Sequence, residues 1–518
     1  MARSTTTIDL HLIIPNLSHS LWPDTLGTHL VPDLDDAKDI RNVVEQVETD
    51  IAVLDQEIAR IHEILAHIES RRQEMCRHAE EHRGFLAPVR RCPDEILSEI
   101  FIHCIPAQNE DVRVTKRKPL LVDQICRRWR EVALGTPALW SDVTVMHQER
   151  KNDAGRQAKR EAEMAQEWLR RAGVGRPISL KLSSSLYSLP ADFIGVILPA
   201  IWSTSNRWQH LHVQLSQRKA NGLSSMIFNS LQSLTLDVSP SPGEPICDVF
   251  ETAPRLSHVE LISGVQWYPL PWVQLTDLSA RLNSLDDCLT ILSDCPNLVS
   301  CVFEGVMRGV DPSSRFRQNL LRHSHLRNLK LETHFNPPVF FDCLATPELR
   351  TIHLVDKSNY VFYEAIVNFL LRSSCTIVKL IWDMDVCSIR GVDQVIRVMP
   401  ELEELEVTRN CGEEFARQFL LNQTLDTDTH KSLCLCPRLH TIRLYSTTGF
   451  DIPVLLEFIR SRGIPLHMSS QHASPLRSIS LRTRKTFEKE LEIEKESLEQ
   501  LQVFRDAGLD LFIGHIPT

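Results

Sequence analysis

The chain has 518 residues, 42 % of them apolar and 24 % charged, with 57 basic against 67 acidic side chains for a formal net charge of −10. That balance suits a globular protein of about three domains at roughly 150 residues each, and it excludes the strongly basic footprint of a dedicated nucleic-acid binder. The 14 cysteines are scattered, with Cys434 and Cys436 the one close pair and no CxxC, as expected of reduced thiols rather than a disulfide framework.

Residues 1–35 are rich in Ser, Thr, Pro and His without a sustained period, and a disordered arm is expected. Its apolar patch is interrupted by Asp9, His11 and Pro15 and carries a single Arg, so no signal peptide is expected. No apolar run approaches the roughly 20 residues of a membrane-spanning helix. Cytoplasm, nucleus or both are the expected locations.

A heptad occupies residues 36–84. Its "a" positions are Val44, Ile51, Ile58 and Leu65, and its "d" positions Val47, Leu54, Ile61 and Ile68. The next pair, Arg72 and Met75, degrades the seam. Such a helix either self-associates through residues 44–75 as a coiled coil, or packs on its own chain. "HEILAH" inside it resembles a zinc-protease motif, but His62 and His67 stand five apart, roughly 140° around a helix. His78 and His82 share a face near Cys76, and there a solvated face is expected rather than a metal.

Next comes "RCPDEILSEIFIHC". Pro93 suits a first helical position, and Asp94 and Glu95 favour the positive helix start. Ile96, Leu97, Ile100, Phe101 and Cys104 make one wide apolar face. A polar insert runs from Pro106 to Pro119. Beyond it Val122, Ile125, Cys126, Trp129, Val132 and Ala133 recur at helical spacing, until Gly135 and Pro137 end the helix. Leu139 and Trp140 follow. A block this small has trouble burying that payload alone.

"CPDEILSEIF" followed by "ICRRWREVALGTPALW" resembles an F-box domain of the form common in large fungal families. The match spans about Pro88 to Val145, and the domain is placed at 85–146. Cys92 stands where the family pattern has leucine, and the insert before Pro119 is long. The resemblance implies docking on a Skp-type adaptor and, through it, a cullin. It implies that Pro93, Ile96, Leu97, Ile100 and Phe101 contribute to that surface. Cys126, Trp129, Leu139 and Trp140 belong to the second half, where some residues dock and others are core.

Residues 147–160, with "ERKNDAGRQAKR", read as a solvated connector into a helix carrying Trp168 and Leu169. From residue 161 onward a phrase returns: Leu, two residues, apolar, one residue, apolar. Clear copies are "PRLSHVEL", "SHLRNLKL", "PELRTIHL", "PELEELEV", "PRLHTIRL" and "PLRSISL". Their leading apolar residues, with those of looser copies, stand at 231, 256, 275, 298, 326, 349, 377, 402, 439 and 476. The spacings fall mostly in or near the roughly 20–29 residues of a leucine-rich repeat, which pairs a strand with a helix or turn. The last two, of 37 residues each, imply inserted loops. Helical connectors are expected at 362–374 and 454–463. A last helix should end at Gly508, with "LDLFI" as a final strand. The repeat's asparagine position is filled convincingly by Asn410 alone. The inward leucines of each copy pack on their neighbours, while His258, Glu260, Asn328, Lys330, Glu404, Glu406 and Arg443 point outward.

The expected fold is therefore α/β: an irregular leucine-rich-repeat solenoid over 161–518, preceded by a long helix and a small all-α F-box. The sequence has no GxxxxGK[ST], GxSxG or GxGxxG motif, and without CxxC a zinc RING-type module is not expected. No catalytic residue, cofactor, metal, nucleic-acid or membrane partner is expected. The expected role is the non-catalytic substrate receptor of an SCF-type ubiquitin ligase, with an unidentified protein target. The alternative is a ligase-independent scaffold.

Overall fold

The computed structural model describes residues 14–15, 27–29, 31–104, 121–147, 154–184, 191–216, 226–239, 248–262, 268–306, 316, 319–334, 338–356, 362–383, 389–411, 413–424, 435–446, 450–463, 474–483 and 495–515. Most of the expected arm, the Pro106–Pro119 insert, residues 148–153 of the connector, the side chain of Asn410 and the segment 484–494 lie outside the described residues. The chain is a mixed α/β protein with a long N-terminal helix and a large parallel sheet. It forms two compact units, residues 1–97 and 98–518.

The first unit is dominated by α1 (Leu34–Leu86), whose 53 residues give about 80 Å at 1.5 Å per residue. The Asp33 carboxylate caps it, accepting from the amides of Asp35 and Asp36 at 3.1 and 2.8 Å. No proline interrupts the run, and it stops at Ala87, which Pro88 forces toward extended backbone with ψ of 127°. None of the residues of α1 is buried. Its surface carries ion pairs one turn apart: Arg60–Glu57 at 2.9 Å, Arg71–Glu74 at 2.6 Å and Arg77–Glu81 at 3.9 Å. Each contributes at most about 0.5 kcal/mol. A 3-10 turn, Pro88–Arg91, leads into α2 (Asp94–His103).

In the second unit, α3 (Arg127–Leu134) and a 3-10 turn (Pro137–Trp140) lead into β1 (Asp142–His147). There follow α4 (Ala154–Arg171), β2 (Ile178–Ser184), α5 (Ala191–Ile201), β3 (Trp208–Ser216), β4 (Ser233–Ser239), β5 (His258–Leu261), β6 (Asp277–Arg281), α6 (Leu285–Asp294) and β7 (Ser300–Val306). Next come β8 (Leu321–Arg322), β9 (Asn328–Thr333), α7 (Pro338–Asp342), β10 (Leu344–Ala345), β11 (Thr351–Asp356), α8 (Tyr363–Ser373), β12 (Lys379–Asp383), α9 (Ile389–Arg397) and β13 (Glu404–Asn410). The chain closes with α10 (Glu413–Gln423), β14 (Thr441–Ser446), α11 (Ile452–Arg462), β15 (Ser478–Thr483), α12 (Lys495–Asp506) and β16 (Asp510–His515).

One 14-stranded sheet takes β1–β7, β9 and β11–β16 in chain order, each strand parallel to its neighbours. β8 and β10 pair with each other. β1, read from sequence as the tail of the F-box block, pairs with β2 in the large sheet. The expected connectors are α8 and α11, and the expected last strand is β16. In the two long spacings, α10 and α11 fill part of the length, while 425–434 and 464–473 lie outside the described residues.

The register has a local cause. Every leading apolar residue from Leu231 to Leu476 is at most 1 % exposed. The carbonyl of the residue after it accepts two amides from the following copy. Gln232 accepts from Ser257 and His258, Arg327 from Arg350 and Thr351, and Glu403 from His440 and Thr441. A parallel neighbour is thus pinned before its strand begins. Alternation then carries Ile352 beside Leu380 and Leu354 beside Trp382 into the core. Polar side chains tie the turns between copies. Arg462, 1 % exposed, donates to the carbonyls of Cys436 (3.0 Å), Pro437 (3.4 Å) and Leu439, and Arg372 does the same for Phe341 and Leu344.

Candidate functional site

The apolar face expected along α2 is divided. The Leu97 amide donates to the Pro93 carbonyl at 3.1 Å, so Pro93 caps the helix rather than occupying its first turn. Leu97 and Phe101, one turn apart, are 0 and 1 % exposed. Ile96 and Ile100, also one turn apart, are 51 and 43 % exposed. A step of one residue turns a helix by about 100°, which is enough to put neighbours on different sides.

Phe101 rests on Trp129, ring centroids 4.9 Å apart, and Trp129 is half-buried. Trp129 lies on a helix that begins later than its sequence period suggests. Cys126 is the N-cap of α3, its Sγ accepting the Trp129 amide at 3.5 Å, and its side chain is exposed. Ile125 therefore sits ahead of the helix and is 60 % exposed rather than on its inner face. Leu121 and Leu134 are exposed as well.

Leu139 and Trp140 are buried in the 3-10 turn. Trp140 Nε1 donates to the Ala133 carbonyl at 2.9 Å. The ring meets Trp168 of α4 edge-on at 5.4 Å, and the Arg171 guanidinium lies 4.4 Å from its centroid. Glu167 holds Arg171 at 2.8 Å; its hydrogen bonds with Arg170 and Arg171 pull its carboxyl down to about 2. Thr136, also buried, donates to the Val132 carbonyl at 2.7 Å and lies 3.0 Å from Ser98 Oγ. Of the nine expected site residues, Leu97, Phe101, Leu139 and Trp140 are thus core, Trp129 is intermediate, and Pro93, Ile96, Ile100 and Cys126 face outward.

The outward strand face of the sheet is the second candidate surface. Its charges are largely paired across neighbouring strands: Lys330 with Glu304 and Lys379 with Glu404, both at 2.8 Å, Arg409 with Asp383 at 3.1 Å, and Arg443 with Glu406 at 3.3 Å. The Lys379 ammonium lowers the Glu404 pKa. Paired charges of this kind offer hydrogen bonds to a partner without a single dominant sign.

Along α1 the His78 and His82 rings lie 4.1 Å apart, and His82 Nδ1 is 2.8 Å from the His78 carbonyl. Among the described residues no group of three or more His, Cys, Asp or Glu is placed to hold a metal ion, and no helix is long and apolar enough to cross a membrane. No protein-family model matches the chain, and no curated protein matches it.

Proposed function

We propose that the chain is a substrate-recognition subunit of an SCF-type ubiquitin ligase. An F-box over 85–146 docks a Skp-type adaptor and, through it, a cullin. An irregular leucine-rich-repeat solenoid over 161–518 holds a target protein. The chain itself is non-catalytic and works by proximity, raising the target's effective concentration at the ubiquitin-charged enzyme.

The observation that carries this reading is the division of α2. Leu97 and Phe101 supply core while Ile96 and Ile100, from the same motif, stay in solvent, as a docking helix requires. The sequential parallel strands, each continuing the apolar pattern of the last, support the repeat reading. The test is co-purification of the full chain with its host's Skp-type adaptor and cullin. Ile96→Ser combined with Ile100→Ser should abolish adaptor capture with the circular dichroism spectrum unchanged. An intact chain that captures no adaptor overturns the reading, and a double variant that still captures it moves docking off α2. Adaptor without cullin favours the scaffold instead.

The scaffold reading has its own observation, the solvent-facing heptad of α1. Its occupant is a second copy, running antiparallel. Residues 34–58 hold eight carboxylates against Lys38 and Arg41, a net −6, whereas 59–86 hold five acids and five arginines with four histidines. Parallel pairing would set the two acidic halves together; antiparallel pairing sets each beside the balanced half. Light scattering should give the mass of a dimer for the native chain and of a monomer for Ile58→Asp. An unchanged mass removes the pairing.

A further inference from the structure

Where β3, β4 and β5 begin, a cavity of about 220 Å³ is lined by Gly175, Pro177, Arg207, Gln209, Ser230, Gln232 and Arg255. It holds two guanidiniums, two carboxamides and a hydroxyl, and no carboxylate. We propose that this cavity is an oxyanion site that takes a phosphoryl group through Arg207 and Arg255.

Arg207 is preset for the task. Its Nε donates to the Arg176 carbonyl at 3.0 Å, which fixes the plane of the fork, while its Nη2 is buried without a hydrogen-bond partner among the described residues. A guanidinium with no counter-charge is costly to bury, and an anion in the cavity offsets that cost through its charge. Burial lowers the Arg207 pKa. Gln209 Nε2 donates to Gln232 Oε1 at 2.7 Å, leaving the Gln232 amide hydrogens for a ligand. Arg255 is exposed and makes no ion pair among the described residues. Two arginine forks recognise a tetrahedral oxyanion by paired, charge-assisted hydrogen bonds.

Size narrows the class. At about 30 Å³ per water the cavity holds a phosphoryl group with a few waters. It is smaller than the roughly 300–1,000 Å³ of pockets that enclose whole drug-sized ligands. The site therefore grips a phosphate, free or as the end of a monoester whose remainder lies outside. It stands independently of the ligase reading.

The test is isothermal titration calorimetry on the full chain with inorganic phosphate and with glycerol 2-phosphate, against chloride at matched ionic strength. Saturable one-site binding is expected, weakened about tenfold or more by Arg207→Gln and by Arg255→Gln, each of which removes a cation from the site. Arg322→Gln, remote in sequence and not lining the cavity, should bind normally. Binding of both probes assigns free phosphate as sufficient; binding of the ester alone assigns an esterified group. Heats no different from chloride, or binding indifferent to Arg255→Gln, overturn the proposal. Arg255 is exposed, so its variant decides the matter even if Arg207→Gln fails to fold.

Discussion

In α1 the apolar stripe returns every three or four residues, and Val44, Ile51, Ile58 and Leu65 all remain about half exposed. In the copies from Leu231 to Leu476 the stripe returns every second residue within a strand, and its leading members vanish from solvent. Both are simple periods of similar side chains. The difference lies in who supplies the partner. A copy meets the next copy of the same chain about 25 residues later, already pinned by the carbonyl after its leading leucine. The helix has no such neighbour built into its period, so its apolar seam is a demand rather than a contact.

The comparison breaks most readily at equivalent truncations. Leu402→Ala removes a fully buried leading leucine between two copies and should cost about 3–5 kcal/mol in urea unfolding, the usual range for a core leucine left as a cavity. Ile58→Ala removes a side chain that is already half in water, and at dilute protein should cost less than about 0.5 kcal/mol. Similar losses at the two positions would mean that α1 is packed in solution and that the contrast is false.

Legibility in the sequence followed the same line. The strands of the copies were readable because the phrase within each copy, Leu, two residues, apolar, one residue, apolar, leaves one register that buries its leading residue. The start of α3 was not readable, because its cap is the thiol of Cys126 rather than one of the usual oxygen-bearing caps. The split of α2 was hidden because Ile96 and Leu97 are equally apolar, and only packing tells them apart. Gly391 looks like a fault inside α9, yet a Cβ there would stand 2.1 Å from the Tyr363 ring, so the glycine is what lets α9 approach α8. Arg462 ends α11 as a surface arginine would, but its fork is spent on carbonyls 23 to 26 residues earlier. The oxyanion cavity gathers residues from 175 to 255, and nothing short of the sheet brings them together.

A smaller effect sharpens the contrast from the side of the array. Ser374, at the C-terminus of α8, sits in the left-handed region at φ +51° and ψ +34°, the one described non-glycine residue with positive φ. Its amide donates to the Leu370 carbonyl at 2.9 Å, closing the helix in the geometry that glycine usually supplies. A side chain there costs roughly 1–2 kcal/mol. The Ser374 hydroxyl returns part of this through a 3.3 Å bond to the Leu371 carbonyl, and glycine would cost about 0.4–1 kcal/mol in unfolded-chain entropy. Ser374→Gly should therefore stabilise the second unit by about 0.5 kcal/mol, read as a higher urea midpoint with an unchanged slope. A lower midpoint would show that the hydroxyl bond outweighs the strain. The array tolerates such a residue because the copies on either side hold α8 in place, with Tyr363 stacked on Trp382 at 5.7 Å. α1, none of whose residues is fully buried, keeps to right-handed backbone from Leu34 to Leu86.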